Sequence, residues 1–398
     1  MVSVLNPGSN TNTPSGIINF VLSTIDYTAT LFPDHYGDDS GTQTYNLSRP
    51  ADIIFHWPTD YTADIPPVAC HSHNDYWRPI PVVSAIQAGC TGVEADLWLL
   101  GDELYVGHSR SSLTAQRTFR SLYIEPLLRI LDRQNPNTTF HPSPDSPRTG
   151  VFDTNSEQNL VLLIEFKTDG HESWRFVTEQ LQPLRSRQYL TYFDGHQIVR
   201  GPLTVVVTGN APFDKVIENF EYRDMFFDAP LQVMGGIKDS STDEKHEPVL
   251  QNIQAERAYL DQYAEIATSN TSASKHENSR ATPSSLPLTI DPSVYTPSNS
   301  YYTSTSFLET IGTPLPFLSS SQLKKIKAQI AGAHRQGLKT RYWDIPAWPI
   351  GLRNYVWEVL VKEGIDYLNV DDLDGATRGD WQKGMRGTIW SRKVSWHS

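Results

Sequence analysis

Short apolar runs alternate with longer amphipathic stretches from about residue 66 to residue 370, and this alternation constrains the fold more than any other feature. It is typical of parallel strands joined by helices, because a parallel connection must cross back over the sheet. Eight such strands can be counted, so the sequence predicts an α/β fold of the TIM (β/α)8 barrel type. Barrels of this kind regularly reach about 250 residues or more as one domain, so 398 residues do not require several.

The predicted strands differ in composition and are unevenly spaced along the chain. Leu160–Phe166 is apolar almost throughout, as expected of a strand that is covered on both faces. A hairpin with Gly101 and Asp102 at its turn extends the second strand and returns over Leu104–Val106. The eight barrel strands are predicted at Pro67–His71, Gly92–Leu97, Leu160–Phe166, Leu203–Val207, Phe226–Asp228, Tyr301–Phe307, Lys339–Asp344 and Ile365–Val370.

Composition sets the domain boundaries. Residues 1–64 are rich in Asn, Thr, Ser, Asp and Pro, which predicts an irregular N-terminal arm. The barrel is expected over residues 65–380, with a long polar, flexible insertion over about 238–300 and one helix within it at 249–263. Residues 381–398 are expected to form a C-terminal tail.

The charge and hydropathy of the chain exclude some partners. A formal net charge of -12 and a pI of about 5.4 argue against nucleic acid. No apolar run reaches the ~18 residues of a membrane span, so no transmembrane segment is predicted, and peripheral membrane contact stays open. We expect a monomer that acts on a small-molecule or lipid substrate.

Cysteines and sequons bear on the compartment. Cys70 and Cys90 are the two cysteines of the chain. One bridge is conceivable, but we place them near opposite ends of neighbouring strands and expect free thiols. Sequons at Asn46, Asn137 and Asn270 permit a secretory location, which is slightly favoured although no signal peptide is visible in the chain as given.

Acidic residues occur where two adjacent barrel strands end. Glu94 and Asp96 are two apart on strand two, so both side chains face one side of it, and Glu165 and Lys167 repeat this spacing on strand three. Carboxylates inside a barrel are costly unless they are paired or bind a cation. The oxygen ligands predict Mg²⁺ or Ca²⁺ on Glu94, Asp96 and Glu165, since zinc favours His and Cys. A structural ion-pair network with Lys167 is the alternative.

Histidines flank these acids and can exchange protons near neutral pH. His71 ends strand one and His108 follows the hairpin, which makes them the predicted catalytic acid–base pair. His73 competes with His71, which we prefer because it lies closer to the strand end. We expect His73, Asn74 and Lys167 to contact substrate, with Lys167 as a point charge on a phosphate.

The ordered set His71, Glu94-Ala95-Asp96, His108 and Glu165-Phe166-Lys167 resembles the PLC-like phosphodiesterase superfamily, which includes glycerophosphodiester phosphodiesterases and sphingomyelinase D-type phospholipases. The motifs CHSHNDYW, which starts at Cys70, and VEADLW, which starts at Val93, are more similar to the fungal "altered inheritance of mitochondria protein 6" group.

This resemblance implies a TIM barrel with the metal and histidine assignments above, and Trp343 on strand seven as an aromatic residue lining the site. Core packing is the alternative for Trp343. Two departures concern the substrate. Glycerophosphodiesterases have His-Arg-Gly on strand one, whereas Ser72 and His73 follow His71 in this chain. Sphingomyelinase D-type enzymes have Asp where this chain has Glu165.

The sequence therefore predicts a metal-dependent phosphodiesterase that acts on a glycerophosphodiester or phospholipid head group, by hydrolysis or by formation of a cyclic phosphate. A non-catalytic barrel that binds a phosphorylated lipid or a protein is the main alternative. A glycosidase that uses paired carboxylates is a third reading, and it would not need the histidines.

Overall fold

A closed barrel of eight parallel strands with helices between them forms the body of the protein, so the predicted TIM (β/α)8 barrel is confirmed. The computed structural model describes residues 60–139, 147–236, 253–264, 291–315 and 317–378. In chain order the strands are β1 (Val68–Ser72), β2 (Cys90–Leu100), β3 (Glu103–Val106), β4 (Leu160–Phe166), β5 (Tyr192–Phe193), β6 (Ile198–Val199), β7 (Leu203–Gly209), β8 (Met225–Pro230), β9 (Ser300–Ser306), β10 (Lys339–Trp343) and β11 (Tyr367–Val370).

The barrel closes at its first strand. β1 pairs in parallel with β2 on one side and with β11 on the other, and the ring continues through β10, β9, β8, β7 and β4 back to β2. β3 lies outside the ring and pairs antiparallel with the end of β2. A small hairpin of β5 and β6, which the sequence analysis did not predict, precedes β7.

Helices cover the outside of the ring, and their ends follow local signals. The first helix ends before Gly89, whose φ of 94° suits glycine. The helices are α1 (Val83–Ala88), α2 (Glu125–Gln134, entered through a π-helical turn at Arg120–Ile124), α3 (Gly170–Ser186), α4 (Phe213–Ile217), α5 (Leu231–Met234), α6 (residues 253–264), α7 (Phe307–Thr310), α8 (Ser320–Arg335), α9 (Ile350–Lys362) and α10 (Leu373–Arg378).

The barrel interior is apolar toward the N-terminal ends of the strands and polar toward their C-terminal ends. A small cluster of Val161, Leu163, Val206, Tyr302 and Tyr367 fills the lower part. Nearer the C-terminal ends of the strands, the buried guanidinium of Arg341 donates hydrogen bonds to Ser304, Asn369 and Asp228 at 3.1, 2.8 and 3.2 Å. These contacts satisfy the Arg341 side of the polar layer, whereas Asp228 Oδ1 is buried without a hydrogen-bond partner.

Cys70 and Cys90 form a disulfide with their Cα atoms 4.8 Å apart, so the prediction of free thiols was wrong. That prediction started strand two at Gly92 and left Cys90 outside the sheet. In the structure β2 begins at Cys90, which pairs in register with Val68. The two cysteines therefore lie at nearly the same level on adjacent strands, within the ~4.4–6.8 Å that a disulfide spans.

Several predicted segments lie largely outside the described residues. The arm over residues 1–64 is described from residue 60 onward, and the tail over 381–398 is not described. Of the polar insertion over 238–300, the described parts are the helical residues 253–264 and residues 291–300. These domain boundaries stay predictions.

Candidate metal and catalytic site

Three carboxylates converge at the mouth of the barrel. One oxygen from each of Glu94, Asp96 and Glu165 lies within 4.8 Å of the others. Glu94 and Asp96 come from β2 and Glu165 from β4, where Asp96 and Glu165 are register partners. The i, i+2 spacing on β2 and the parallel register thus bring the three predicted metal ligands together.

Lys167 partly neutralises this cluster. Its Nζ lies 2.7 Å from Glu165 Oε1 and 3.0 Å from Asp96 Oδ2. Burial acts to lower the pKa of Lys167, but the neighbouring charges of Asp96 and Glu165 outweigh it and raise the pKa. One ammonium balances one of three carboxylates, so an ion-pair network alone leaves an excess of negative charge.

The surroundings of the Asp96 carboxylate are those expected of a cation ligand. Its Oδ1 is buried and has no hydrogen-bond partner. Burial first, and then the charges of Glu94 and Glu165, raise the pKa of Asp96 to about 7. A buried acceptor without a donor is unfavourable unless something positive binds it. The donor set consists of hard carboxylate oxygens, which suits Mg²⁺ or Ca²⁺.

The loop after β1 wraps around the carboxylates. The Asn74 backbone N–H donates to Glu94 Oε2 at 3.1 Å, with Asn74 in the left-handed region at φ 48°, which asparagine tolerates well. The Tyr76 hydroxyl bonds Asp96 Oδ2 at 2.7 Å and also contacts Asn74 Oδ1. Tyr76 was not among the predicted site residues, although it lies two residues after Asn74 in the motif CHSHNDYW.

The two histidines of this segment have different surroundings. The His71 ring is fully buried, and its Nε2 lies 4.0 Å from Glu94 Oε2 without a hydrogen-bond partner. Burial first, with the charge of Arg341, holds the pKa of His71 well below its usual value, so this ring is neutral. His73 lies beyond the end of β1, and its side chain is 25% exposed.

Asp371 at the end of β11 pairs with His73. Its Oδ1 lies 2.9 Å from His73 Nδ1. Burial acts to lower the pKa of His73, but the hydrogen bond to Asp371 and the charges of Glu94 and Asp371 exceed that effect and raise it. Asp371 was not among the predicted site residues, because its partner is 298 residues away in the sequence.

Arg78 holds this pair in place. Its guanidinium donates to the backbone oxygens of Asp371, His73 and Val370 at 2.6, 2.9 and 3.3 Å. Its Nε also donates to Ser72 Oγ at 3.1 Å. Arg78 therefore links the end of β1 to the end of β11, and the orientation of His73 depends on these hydrogen bonds.

His108 and Trp343 lie at the mouth with access to solvent. The His108 side chain is 56% exposed, and its Nδ1 lies 3.7 Å from Asp96 Oδ2. The Trp77 ring lies 5.4 Å from the His108 ring. Trp343 is 38% exposed at the end of β10, so core packing does not account for it.

Comparison with known proteins identifies the family. The model of the AIM6-like phosphodiesterase domain matches residues 59–228, which contain the histidines and carboxylates above apart from Asp371. The chain is 36% identical over 335 residues to "Altered inheritance of mitochondria protein 6 homolog" of Arthroderma benhamiae, covering 81% of this chain and 87% of that protein. The chain belongs to the altered inheritance of mitochondria protein 6 family.

Other members of this family are similar over comparable lengths. The protein of Eremothecium gossypii is 32% identical, with 80% of this chain and 71% of that protein covered. The Saccharomyces cerevisiae protein (strain YJM789) is 30% identical, with 78% and 70% covered. No solved structure matches the chain. Within the described ranges, no helix combines the length and apolar character needed to cross a bilayer.

Proposed function

We propose that this family member is a metal-dependent phosphodiesterase that cleaves a glycerophosphodiester or a phospholipid head-group phosphodiester. The observation that carries the proposal is the convergence of Glu94, Asp96 and Glu165 between two histidines that substrate can reach. These carboxylates would hold Mg²⁺ or Ca²⁺. When bound, such a cation offsets charge on the non-bridging phosphate oxygens and lowers the pKa of an attacking hydroxyl.

His73 and His108 are the acid–base pair that the geometry favours, instead of the His71 and His108 pair preferred from the sequence. His71 is buried and neutral below Glu94, so it has no access to a leaving group. The raised pKa of His73 keeps its proton available, which suits a general acid for the leaving oxygen. The exposed His108 then acts as the base that accepts the proton of the attacking hydroxyl or water.

Other side chains would position the substrate. Lys167 Nζ points into the carboxylate cluster with its side chain 18% exposed, so it can contact a phosphate oxygen while it holds Asp96 and Glu165 together. Trp343 offers an exposed aromatic surface at the mouth. Asn74 acts mainly through its loop, since its backbone binds Glu94.

Single alanine variants at His73, His108 and His71, assayed on glycerophosphodiesters, phospholipids and lysophospholipids with Mg²⁺ or Ca²⁺, test this assignment. We expect H73A and H108A each to lower kcat by about 100-fold or more. H196A, at an exposed position on the β5–β6 turn, is the matched control and should keep full activity.

The possible results separate the readings. Full activity in both H73A and H108A would refute the acid–base mechanism. Loss in H71A with activity retained in H73A, at equal thermal stability, would return the role to His71. Metal binding without turnover of any substrate would favour the non-catalytic barrel.

The disulfide bears on the compartment. A bridge between Cys70 and Cys90 is expected where conditions are oxidising. This supports the secretory location that the sequence slightly favours, and that location remains part of the proposal.

A further inference from the structure

Large apolar side chains are exposed mainly on one face of the barrel. Among the described residues eight large apolar side chains are exposed, and two of them, Tyr222 and Val233, lie apart from the rest. The remaining six, here called the apolar rim, are Trp77, Leu315, Phe317, Trp343, Trp348 and Ile350, with exposed fractions of 56, 82, 65, 38, 78 and 59%. All six come at or after the C-terminal ends of β1, β9 and β10, which is the face that carries the carboxylates.

The rim forms one sector of that face. β1, β11, β10 and β9 are consecutive in the ring, so the loops that follow them are neighbours. The loop after β9 rests on α9, where the Phe317 ring lies 5.2 Å from the Tyr355 ring and the Leu318 N–H donates to the Tyr355 hydroxyl at 3.2 Å. α9 itself begins at Ile350, two residues after Trp348.

The rim is continuous with the catalytic groups. Ile345 and Ala347, from the loop that carries Trp348, line an open cleft of about 200 Å³ together with Asn369 and Asp371. Asp371 is the hydrogen-bond partner of His73. At the other edge of the rim, Trp77 lies against His108. A surface that covers the rim would therefore present its outermost groups to both histidines.

The chemistry of the rim suits a lipid surface. Three of its six members are tryptophans, which favour the interface between water and acyl chains. Residues 311–319 and 345–352 contain no charged side chain. A basic cluster, which anionic membranes attract, is absent from both segments, and the chain carries a net charge of -12.

We propose that the apolar rim docks the protein on a zwitterionic phospholipid surface, with Trp348, Phe317 and Leu315 inserted at the level of the head groups. Docking brings a head-group phosphodiester to the mouth of the barrel. The choice of a phospholipid as substrate rests on the proposed function, whereas the docking itself does not.

Sedimentation with phosphatidylcholine vesicles tests the docking with the full chain. We expect the wild type to bind, W348A and F317A each to lower vesicle partitioning by about tenfold, and the double variant by about 100-fold. Y222A is the matched control, because Tyr222 is an exposed aromatic residue that precedes β8 at the opposite end of the barrel. Its partitioning should match the wild type, and thermal melting should show all variants folded.

Three results would overturn the proposal. One is a wild type that stays in solution at every phosphatidylcholine concentration. Another is binding that needs phosphatidylserine and disappears with salt, which would indicate electrostatic attachment. The third is a wild-type dimer that W348A and F317A convert to monomers, which would make the rim an interface between two copies of this chain.

Turnover of two substrates separates this proposal from the proposed function. The W348A/F317A variant should cleave soluble glycerophosphocholine like the wild type but lose turnover of phosphatidylcholine in vesicles. Equal loss on both substrates would contradict a docking role. Absence of turnover on either substrate by the wild type, with vesicle binding that still depends on Trp348 and Phe317, would refute the phosphodiesterase and support the docking.

Discussion

Lowering the pH from about 8 to about 5 should weaken binding of Mg²⁺ or Ca²⁺ at the carboxylate cluster by about 100-fold. In the metal-free protein the pKa of Asp96 is about 7, because of burial and the charges of Glu94 and Glu165. A cation needs the carboxylate deprotonated. At about pH 8 most molecules meet this condition, whereas at about pH 5 roughly one in a hundred does.

Calorimetric titration of the purified, chelator-treated protein measures this change. Near pH 6 the binding enthalpy should depend on the ionisation enthalpy of the buffer, because each cation displaces close to one proton. D102N, at the exposed turn between β2 and β3, is the control and should behave as the wild type. D96N should bind weakly with little dependence on pH. Equal wild-type affinity at both pH values, or binding without proton release, would refute the reasoning.

The same carboxyl group links pH to stability. Because the pKa of Asp96 is higher in the folded chain than its usual value of 3.8, the folded state binds more protons between these two values. The stabilising effect of this proton is complete below about pH 4 and is lost as the pH rises through about 7. With chelator present, D96N should therefore gain stability relative to the wild type as the pH rises.

Three further perturbations address the disulfide and the seam between β1 and β11. Reduction of the Cys70–Cys90 bridge, whose residues are 20 apart, should lower the free energy of unfolding in urea by about 3 kcal/mol, and no change on adding reductant would contradict this. R78K keeps the charge but loses the forked donors, so kcat should fall about tenfold or more while metal affinity stays as it was. D371N removes one of the two negative charges that raise the pKa of His73, so the loss of activity at high pH should begin at a lower pH, as seen in a pH–rate profile.

Much of the fold could be predicted because barrel strands carry a local signal. Leu160–Phe166 was predicted with the bounds that the structure gives, since its inward and outward positions are both buried. β9 has little apolar character, with the sequence SYYTSTS, so its local signal is weak, yet the predicted Tyr301–Phe307 differs from the observed Ser300–Ser306 by one residue at each end. The β5–β6 hairpin was missed because two-residue strands leave no period to detect.

The site was predictable where spacing within one or two strands determines it. Glu94 and Asp96 share a face of β2 by alternation alone, and the parallel register with β4 adds Glu165. The structural grounds for proposing His73 in place of His71 could not be found in the sequence, because they depend on where β1 ends and on the left-handed turn at Asn74. The contact between His73 and Asp371 joins adjacent strands whose residues are 298 positions apart in the sequence, and no local pattern reports it.

The proposed acid–base pair depends on closure of the ring, because His73 follows β1 and its hydrogen-bond partner Asp371 follows β11. The three carboxylates need β2 and β4, which follow early in the chain, whereas the partner of His73 arrives with β11. A variant in which β11 does not pair with β1 would therefore lose the contact that orients His73, although Glu94, Asp96 and Glu165 lie on strands that do not pair with β11.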